Sequence, residues 1–311
     1  MNIEAAKSIL IISHVNPDGD TLGSMCGLAA LIESNFKKRC DTMAVSKIPS
    51  VYEFLPGVEK VKQVGEFDKS REYDLVITVD VASLERIGDG KIFFEKAKNT
   101  VSFDHHKTTE NFAGTNIIDA DKSSACEVIL DFAKEQGWKI NADAALCFYT
   151  GILTDTGSFR FNNTKPATLR WAADLVEKGV DPSDTYRKIY ENDLKSTALL
   201  QAYCVGKAVF EDDDKIAYII VYKKDLEKFG ASDESLEGLT ERLRAIKSVQ
   251  TAFVAKETGF GSKVSMRTKV ADAAKICEYF GGGGHKFAAG CTMKTAPDMA
   301  ARKILEVIYA G

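Results

Sequence analysis

The four histidines of the sequence each lie beside glycines or carboxylates; they are His14, His105, His106 and His285. The first of them begins a short polar stretch that also contains Asp18 and Asp20, separated by a glycine. Imidazole nitrogens and carboxylate oxygens together are donors that suit a borderline divalent metal ion. One histidine near an acid is usually a surface or hydrogen-bonded core residue, so the prediction of metal chemistry depends on the whole set.

Further acidic residues and histidines directly follow apolar stretches; they are Asp80, Asp104, His105, His106 and Asp155. The carboxyl ends of parallel strands share one edge of a sheet, and open α/β sheets bind their ligands there. We therefore expect these donors to meet the loop of His14. Taken alone, Asp80 could instead cap a helix and Asp155 could begin an ordinary polar turn, so both alternatives stay open at this point.

The elements that must position these residues alternate between apolar strands and helices. Strands are predicted at 8–13, 73–79 and 100–103, and helices at 22–36, 84–98, 124–136 and 142–153. This alternation predicts an α/β domain whose parallel sheet is covered on both faces.

A smaller α+β domain is predicted to follow. Its strands fall at 207–211, 216–222, 250–256 and 263–267, its helices near 234–247 and 270–280, and a glycine run, a short strand and a terminal helix complete it. We expect domains at 1–185 and 207–311, a helical connector at 186–206, and an active site in the cleft between the domains.

Composition narrows the possible functions. The chain has 311 residues, 45% of them apolar, and its apolar runs are too short to span a membrane. No secretion signal begins the sequence, so a cytoplasmic location without membrane binding is expected. Seven scattered cysteines without a C-x-x-C motif predict buried, reduced thiols. A net charge of -4 argues against binding long nucleic acid, but short phosphorylated ligands remain compatible.

The motifs together resemble those of the DHH phosphoesterase superfamily. The stretch at 13–24, the acid Asp80, the Asp-His-His at 104–106 and the stretch at 154–161 resemble its four motifs. The glycine-rich stretch at 281–290 and the Ser-Met-Arg at 265–267 resemble the DHH-associated C-terminal domain. The resemblance covers nearly the whole chain and is greatest to stand-alone, two-domain oligoribonucleases that also dephosphorylate 3′-phosphoadenosine 5′-phosphate.

The resemblance implies two divalent ions, most often Mn²⁺, with Mg²⁺ or Co²⁺ as substitutes. The implied ligands are His14, Asp18 and Asp80 for the first ion, and Asp20, Asp80, His105 and Asp155 for the second. His106 would face the substrate phosphate, and Asp104 would orient the histidine pair. The residues implied to bind the rest of the substrate are Ser265, Arg267, Gly282, Gly283, Gly284 and His285.

Two divalent ions held close together activate water and shield the charge that develops on a phosphate under attack. We therefore expect hydrolysis of very short RNA to nucleoside monophosphates and dephosphorylation of 3′-phosphoadenosine 5′-phosphate. A phosphodiesterase for cyclic or linear dinucleotides is the alternative enzyme. A nucleotide sensor without catalysis would lack a ligand, and none is missing. A pyrophosphatase or exopolyphosphatase would share the N-terminal motifs but not the glycine-rich stretch. A homodimer is compatible with the sequence.

Overall fold

The structure is a computed structural model that describes residues 3–310, apart from the side chain of His285. The first half of the chain contains a six-stranded sheet. Its strands are β1 (Ile9–Ile12), β2 (Asp41–Ala44), β3 (Lys62–Gln63), β4 (Leu75–Val79), β5 (Thr100–Asp104) and β6 (Thr115–Ile118). They lie in the order β3-β2-β1-β4-β5-β6, and every neighbouring pair is parallel. The predicted parallel sheet is confirmed.

Helices cover both faces of this sheet. They are α1 (Gly19–Phe36), α2 (Lys91–Lys96), α3 (Ala125–Glu135), α4 (Ala142–Asp155), α5 (Pro166–Glu177) and α6 (Pro182–Tyr190). Ile9 and Ile11 of β1 pack with α1, α3 and α4, whereas Leu10 and Ile12 pack into a second cluster with Phe93 of α2. Because successive side chains of a strand point to opposite faces, one Ile-rich run supplies both cores.

The helix predicted over 84–98 is wrong in its first half. A 3₁₀ helix at Leu84–Gly90 comes first, and Gly88 interrupts it with φ of 48° and ψ of -131° before α2 begins. The strand β2, the edge strands β3 and β6, and the helix α5 were not predicted. All three strands have four residues or fewer, and the two edge strands are not fully buried, so the apolar pattern that marks a central strand is weak there.

The second half of the chain contains a mixed sheet in the order β11-β12-β10-β9-β8-β7. Its elements are α7 (Lys195–Gly206), β7 (Val209–Glu211), β8 (Ile216–Val221), α8 (Lys223–Phe229), α9 (Leu239–Arg244), β9 (Thr251–Thr258), β10 (Gly261–Thr268), α10 (Ala273–Glu278), β11 (Gly283–His285), β12 (Ala288–Met293) and α11 (Pro297–Ala310). All neighbouring pairs are antiparallel except β8 and β9. This is the α+β arrangement that the sequence predicts.

Two compact units divide between Asn192 and Asp193. The predicted connector at 186–206 is shared by both units, because α6 ends in the first and α7 packs within the second through Leu200 and Cys204. All seven cysteines are free thiols, and six of them are buried, as expected. Within residues 3–310, every helix is too short or too polar to span a lipid bilayer.

Candidate active site

The loop after β1 supplies the first three candidate ligands. His14 is separated from the end of the strand by Ser13 alone and is almost fully buried. Asp18 caps α1, since its Oδ1 accepts from the backbone N–H of Asp20 at 3.1 Å and of Thr21 at 3.0 Å. The helix start therefore fixes the position of the Asp18 carboxylate, and the first turn of the same helix buries Asp20.

Asp20 lies against the start of α3. Its Oδ2 accepts from the backbone N–H of Ala125 at 2.6 Å, and its Oδ1 accepts from that of Cys126 at 3.0 Å. The positive end of the helix dipole favours a carboxylate at this place. These bonds hold Asp20 in one orientation although it lies deep in the protein.

Asp80 is the residue around which the other candidate ligands gather. It follows β4 with φ of 60°, a left-handed conformation that few non-glycine residues adopt. Its Oδ2 lies 3.2 Å from His14 Nε2. Its Oδ1 is buried, accepts no hydrogen bond from any described residue, and lies 3.6 Å from His105 Nε2 and 3.7 Å from His106 Nδ1. An unpartnered buried carboxylate oxygen is costly unless a cation reaches it.

His105 brings the second group of candidate ligands together. Its Nε2 lies 3.6 Å from Asp155 Oδ2 and 3.8 Å from Asp20 Oδ2. Both distances exceed a hydrogen bond, so these donors face one another across a gap. Asp155 reaches this place as the last residue of α4, which packs on α1.

Three groups of donors could each hold a metal ion, with their ligand atoms within 4.8 Å of one another. The groups are His14-Asp18-Asp80, Asp20-His105-Asp155 and Asp80-His105-His106. All six residues implied as metal ligands lie in these groups. Carboxylates and imidazoles without a thiolate suit a divalent ion such as Mn²⁺ or Mg²⁺. The side chains of this cluster therefore fit the divalent ions that the sequence motifs imply.

Burial and mutual repulsion raise the pKa of Asp20, Asp80 and Asp155, which favours their protonated forms when no cation is present. Burial, and next the charges of Asp20 and Asp80, raise the pKa of Asp155 to about 9. Burial followed by the Asp20 and Asp18 charges raises the pKa of Asp80 well above its ordinary value, and burial is also the main cause that raises the pKa of Asp20. A divalent cation would relieve the same repulsion by replacing these protons.

His106 and Asp104 form a separate pair beside the cluster. His106 Nδ1 donates to Asp104 Oδ1 at 2.8 Å, and the Thr109 hydroxyl donates to Asp104 Oδ2. This bond to Asp104 raises the pKa of His106. Burial alone would raise the pKa of Asp104, but its hydrogen bonds lower it overall. The pair keeps a proton on Nδ1, which leaves the Nε2 of a half-exposed ring available to a phosphate oxygen.

Three residues of this site were not predicted. Thr109 holds Asp104, Thr21 lies among the candidate ligands, and Arg86 places its Nη2 3.3 Å from His14 Nδ1. The position of Thr21 inside the 13–24 stretch was a usable signal, since a hydroxyl three positions after Asp18 can bond the carboxylate that caps the helix. No local sequence pattern predicts that Arg86, which lies in the 3₁₀ helix at Leu84–Gly90, would contact His14.

Ser265 and Arg267 of β10 line a cavity of about 600 Å³ within the second unit. Arg267 donates from Nε to Glu241 Oε1 at 2.7 Å and from Nη1 to the carbonyl of Met266 at 3.0 Å. Its guanidinium is therefore already partly occupied, which sequence reasoning did not predict.

The glycine run is an edge hairpin and not simply a loop, because Gly283 and Gly284 belong to β11 and pair with β12. Gly284 has φ of 145°, and a Cβ there would lie 2.5 Å from the Ala288 carbonyl oxygen. The Gly282 N–H donates to the Cys277 carbonyl oxygen at 2.9 Å, which removes it from the donors open to a phosphate. At Gly283 a Cβ would meet nothing within 4 Å, so this position is open to close approach. The side chain of His285 lies outside the described residues.

Comparison with known proteins agrees with this geometry. The chain matches the DHH family, N-terminal domain, over residues 8–152 and the DHHA1 domain over residues 213–309. It is 28% identical over 294 residues to the bifunctional oligoribonuclease and PAP phosphatase NrnA of Bacillus subtilis. The aligned region covers 94% of this chain and 91% of that protein. Identity to the probable bifunctional oligoribonuclease and PAP phosphatase NrnA of Streptococcus mutans is 32% over 293 residues, or 93% and 90% of the two chains.

A solved structure has the same fold over almost the whole chain. The crystal structure of an exopolyphosphatase-related protein from Bacteroides fragilis superposes with a TM-score of 0.93 at 27% identity, covering 99% of this chain and 93% of that one. A parallel sheet that carries this carboxylate and imidazole cluster, followed by a mixed-sheet domain, defines a metal-dependent phosphoesterase, a hydrolase acting on phosphate esters. The chain belongs to the DHH family.

Proposed function

We propose that this phosphoesterase uses two divalent ions, preferentially Mn²⁺, to hydrolyse very short oligoribonucleotides to nucleoside monophosphates and to dephosphorylate 3′-phosphoadenosine 5′-phosphate. The relatives from Bacillus subtilis and Streptococcus mutans are both named for these two activities, which supports the proposal. The match extends over at least 90% of each of those proteins, so no large part of them lacks a counterpart here.

The observation that carries the proposal is the position of Asp80 between two groups of donors. Its Oδ2 faces His14, and its buried, unpartnered Oδ1 faces His105 and His106. We assign His14, Asp18 and Asp80 to one ion, and Asp20, Asp80, His105 and Asp155 to the other. Asp80 would then contribute to the binding of both ions, and such a pair would supply the chemistry that two-metal sites use for displacement at phosphorus.

When bound, the ions supply an activated water and neutralise charge on the phosphate. The chain's own contribution is positioning and proton donation. Asp104 holds the Nδ1 proton of His106, and the raised pKa of this imidazole favours a ring that donates from Nε2 to a phosphate oxygen. We assign His106 to electrophilic assistance and Asp104 to its orientation.

Ser265 and Arg267 are proposed to bind a part of the substrate away from the scissile bond. An arginine fork suits a phosphate, and the cavity beside it is large enough for a nucleotide-sized ligand. Gly283, Gly284 and His285 remain candidates for the same role, and Gly282 contributes through close packing because its N–H is already bonded.

The test is a product-resolved assay of the metal-loaded protein. Oligoribonucleotides of increasing length, 3′-phosphoadenosine 5′-phosphate, cyclic dinucleotides and pyrophosphate are each incubated with Mn²⁺ or with EDTA. We expect Mn²⁺-dependent release of monophosphates from the shortest RNA, with little turnover of long strands or pyrophosphate. Asp80→Asn should abolish the activity, while Asp121→Asn, a matched change at a carboxylate that is 92% exposed, should not.

Other outcomes would decide against the proposal. Turnover confined to cyclic dinucleotides would indicate a second-messenger phosphodiesterase, and turnover confined to pyrophosphate would indicate a pyrophosphatase. Nucleotide binding without any product would indicate a sensor.

A further inference from the structure

The hydroxyl of Thr21 lies among three atoms that we assign to one ion. Its Oγ1 is 2.6 Å from His14 Nε2, 2.7 Å from Asp80 Oδ2 and 3.0 Å from Asp18 Oδ1. The side chain is fully buried in the first turn of α1. Its backbone N–H also donates to Asp18 Oδ1, so the helix cap fixes where the hydroxyl sits.

The Thr21 hydroxyl has too few protons to donate a hydrogen bond to all three of these neighbours. The shortest contact of His14 Nδ1 is with the Val15 carbonyl oxygen at 2.7 Å, which requires a proton on Nδ1 and leaves Nε2 as an acceptor. A metal ion binds the form in which the imidazole is neutral and both carboxylates are ionised. In that form one O–H proton faces three acceptors, of which it can satisfy one. The arrangement keeps the acceptors converged on one place but leaves them short of positive charge, which is the condition that favours a cation.

We propose that Thr21 is a positioning residue for one of the two ions, holding His14, Asp18 and Asp80 in their converged arrangement before that ion binds. The inference rests on the metal-binding part of the proposed function. Groups that bond to metal ligands typically change metal affinity by about 10- to 100-fold when they are removed. Thr21 bonds to these ligands through its hydroxyl, so the hydroxyl is the group whose removal should change the metal affinity.

The effect should be confined to one ion. Thr21 contacts Oδ2 of Asp80, whereas Oδ1 of the same carboxylate faces His105 and His106. The described hydrogen bonds of the Thr21 hydroxyl therefore join it to all three donors of the first group, but not to the side chain of Asp20 or Asp155. A threonine that served only to fill the core would instead affect both ions alike, through the fold.

The test is a Mn²⁺ titration of EDTA-treated full-length protein, with free Mn²⁺ followed by electron paramagnetic resonance. Thr21→Val keeps the shape and removes the hydroxyl, and Thr21→Ser keeps the hydroxyl. We expect Thr21→Val to weaken one of two binding steps by about 10- to 100-fold and to spare the other. Thr21→Ser should recover most of that loss.

Thr150→Val is the matched control, because Thr150 is also a fully buried helical threonine, and its hydroxyl has no hydrogen-bond partner among the described residues. It should leave both steps unchanged. If Thr21→Val does not fold, as judged by its melting curve, Thr21→Ala provides the same comparison without a β-branched side chain.

The inference is overturned if removal of the hydroxyl leaves both binding steps unchanged, weakens both equally, or is not rescued by serine. Because the titration contains no substrate, it is independent of which phosphate ester the protein hydrolyses. A protein that binds two Mn²⁺ ions with the expected Thr21 dependence but cleaves no short RNA would remove the proposed substrate and leave this inference standing.

Discussion

Arg267 of β10 and Glu241 of α9 form an ion pair in which the guanidinium Nε donates to Oε1 across 2.7 Å. Burial would raise the pKa of Glu241, but the Thr240 hydroxyl and the Arg267 charge lower it overall, so the carboxylate stays ionised. A phosphate that binds Arg267 must therefore share the guanidinium with a carboxylate. Neither residue alone reveals this, because the pair joins elements 26 positions apart.

The two partners of this pair should respond differently to truncation. A charge-assisted hydrogen bond contributes about 1.5–3 kcal/mol, so Arg267→Ala should raise the KM for a dinucleotide about tenfold or more. Glu241→Ala breaks the same ion pair but keeps the guanidinium, which is then free to bind the substrate phosphate. The KM of this variant should therefore stay the same or fall. Hydrolysis of a small activated phosphodiester should change little in either variant. Equal losses in both variants would mean that the pair is only structural.

Asp80→Asn should reduce hydrolysis of every substrate by at least about a hundredfold, more than the loss of an outer contact usually causes. Asparagine keeps the size of the side chain, but its amide has no negative charge and so cannot act as an anionic ligand in both groups of donors. Steady-state rates with Mn²⁺, together with the stoichiometry of bound Mn²⁺, provide the measurement. A variant that binds two ions and turns over normally would show that Asp80 only ends its strand.

Gly151→Ala should disturb metal binding although Gly151 is not a ligand. A Cβ at this position of α4 would lie 2.9 Å from Asp20 Oδ1 and 2.3 Å from Cys126 Sγ. We expect a lower melting temperature and weaker binding of one Mn²⁺ ion, because Asp20 must move. Gly206→Ala at the end of α7 is the control, since a Cβ there meets nothing within 4 Å. Identical behaviour of the two variants would show that the close approach at Gly151 has no functional effect.

Stability without metal should fall as the pH rises. The pKa of Asp155 is raised from 3.8 to about 9, so the folded protein holds a proton that the unfolded chain releases at lower pH. Stability from this proton is complete below about pH 4 and is lost progressively as the pH approaches about 9. Melting temperatures of EDTA-treated protein should therefore decline over this window, and Mn²⁺ should raise them most at its alkaline end.

The Asp155→Asn variant tests the source of that decline. Asparagine cannot ionise, so the pH dependence of its melting temperature in EDTA should be shallower than that of the original protein. An unchanged slope would place the titrating group elsewhere.

The sequence alone predicts which donors the chain offers and at which edge of the sheet they lie. The Ile-rich run of β1 and the apolar run of β4 are local patterns; Asp80 directly follows β4, and His14 comes one residue after the end of β1. Since parallel strands end at one edge, their convergence follows from the order of elements alone. The helix cap at Asp18 is equally local, because an aspartate directly before the first helical residue is a normal start signal.

Tertiary structure decided what no local pattern contains. The 84–98 stretch is periodic enough for one helix, yet Gly88 takes a left-handed conformation and the chain turns so that Arg86 reaches His14. The glycine run becomes the strand β11 because pairing with β12 supplies its ladder, not because glycine favours strands.

The remaining contacts depend on distances between side chains far apart in sequence. Thr21 comes within hydrogen-bond distance of Asp80 across 59 positions, and Arg267 meets Glu241 through the packing of α9 on its sheet. Residue types and strand ends can be predicted because they follow from periodicity and capping. Which partner a given hydroxyl or guanidinium finds depends on how helices pack, and that is decided only when the whole core forms.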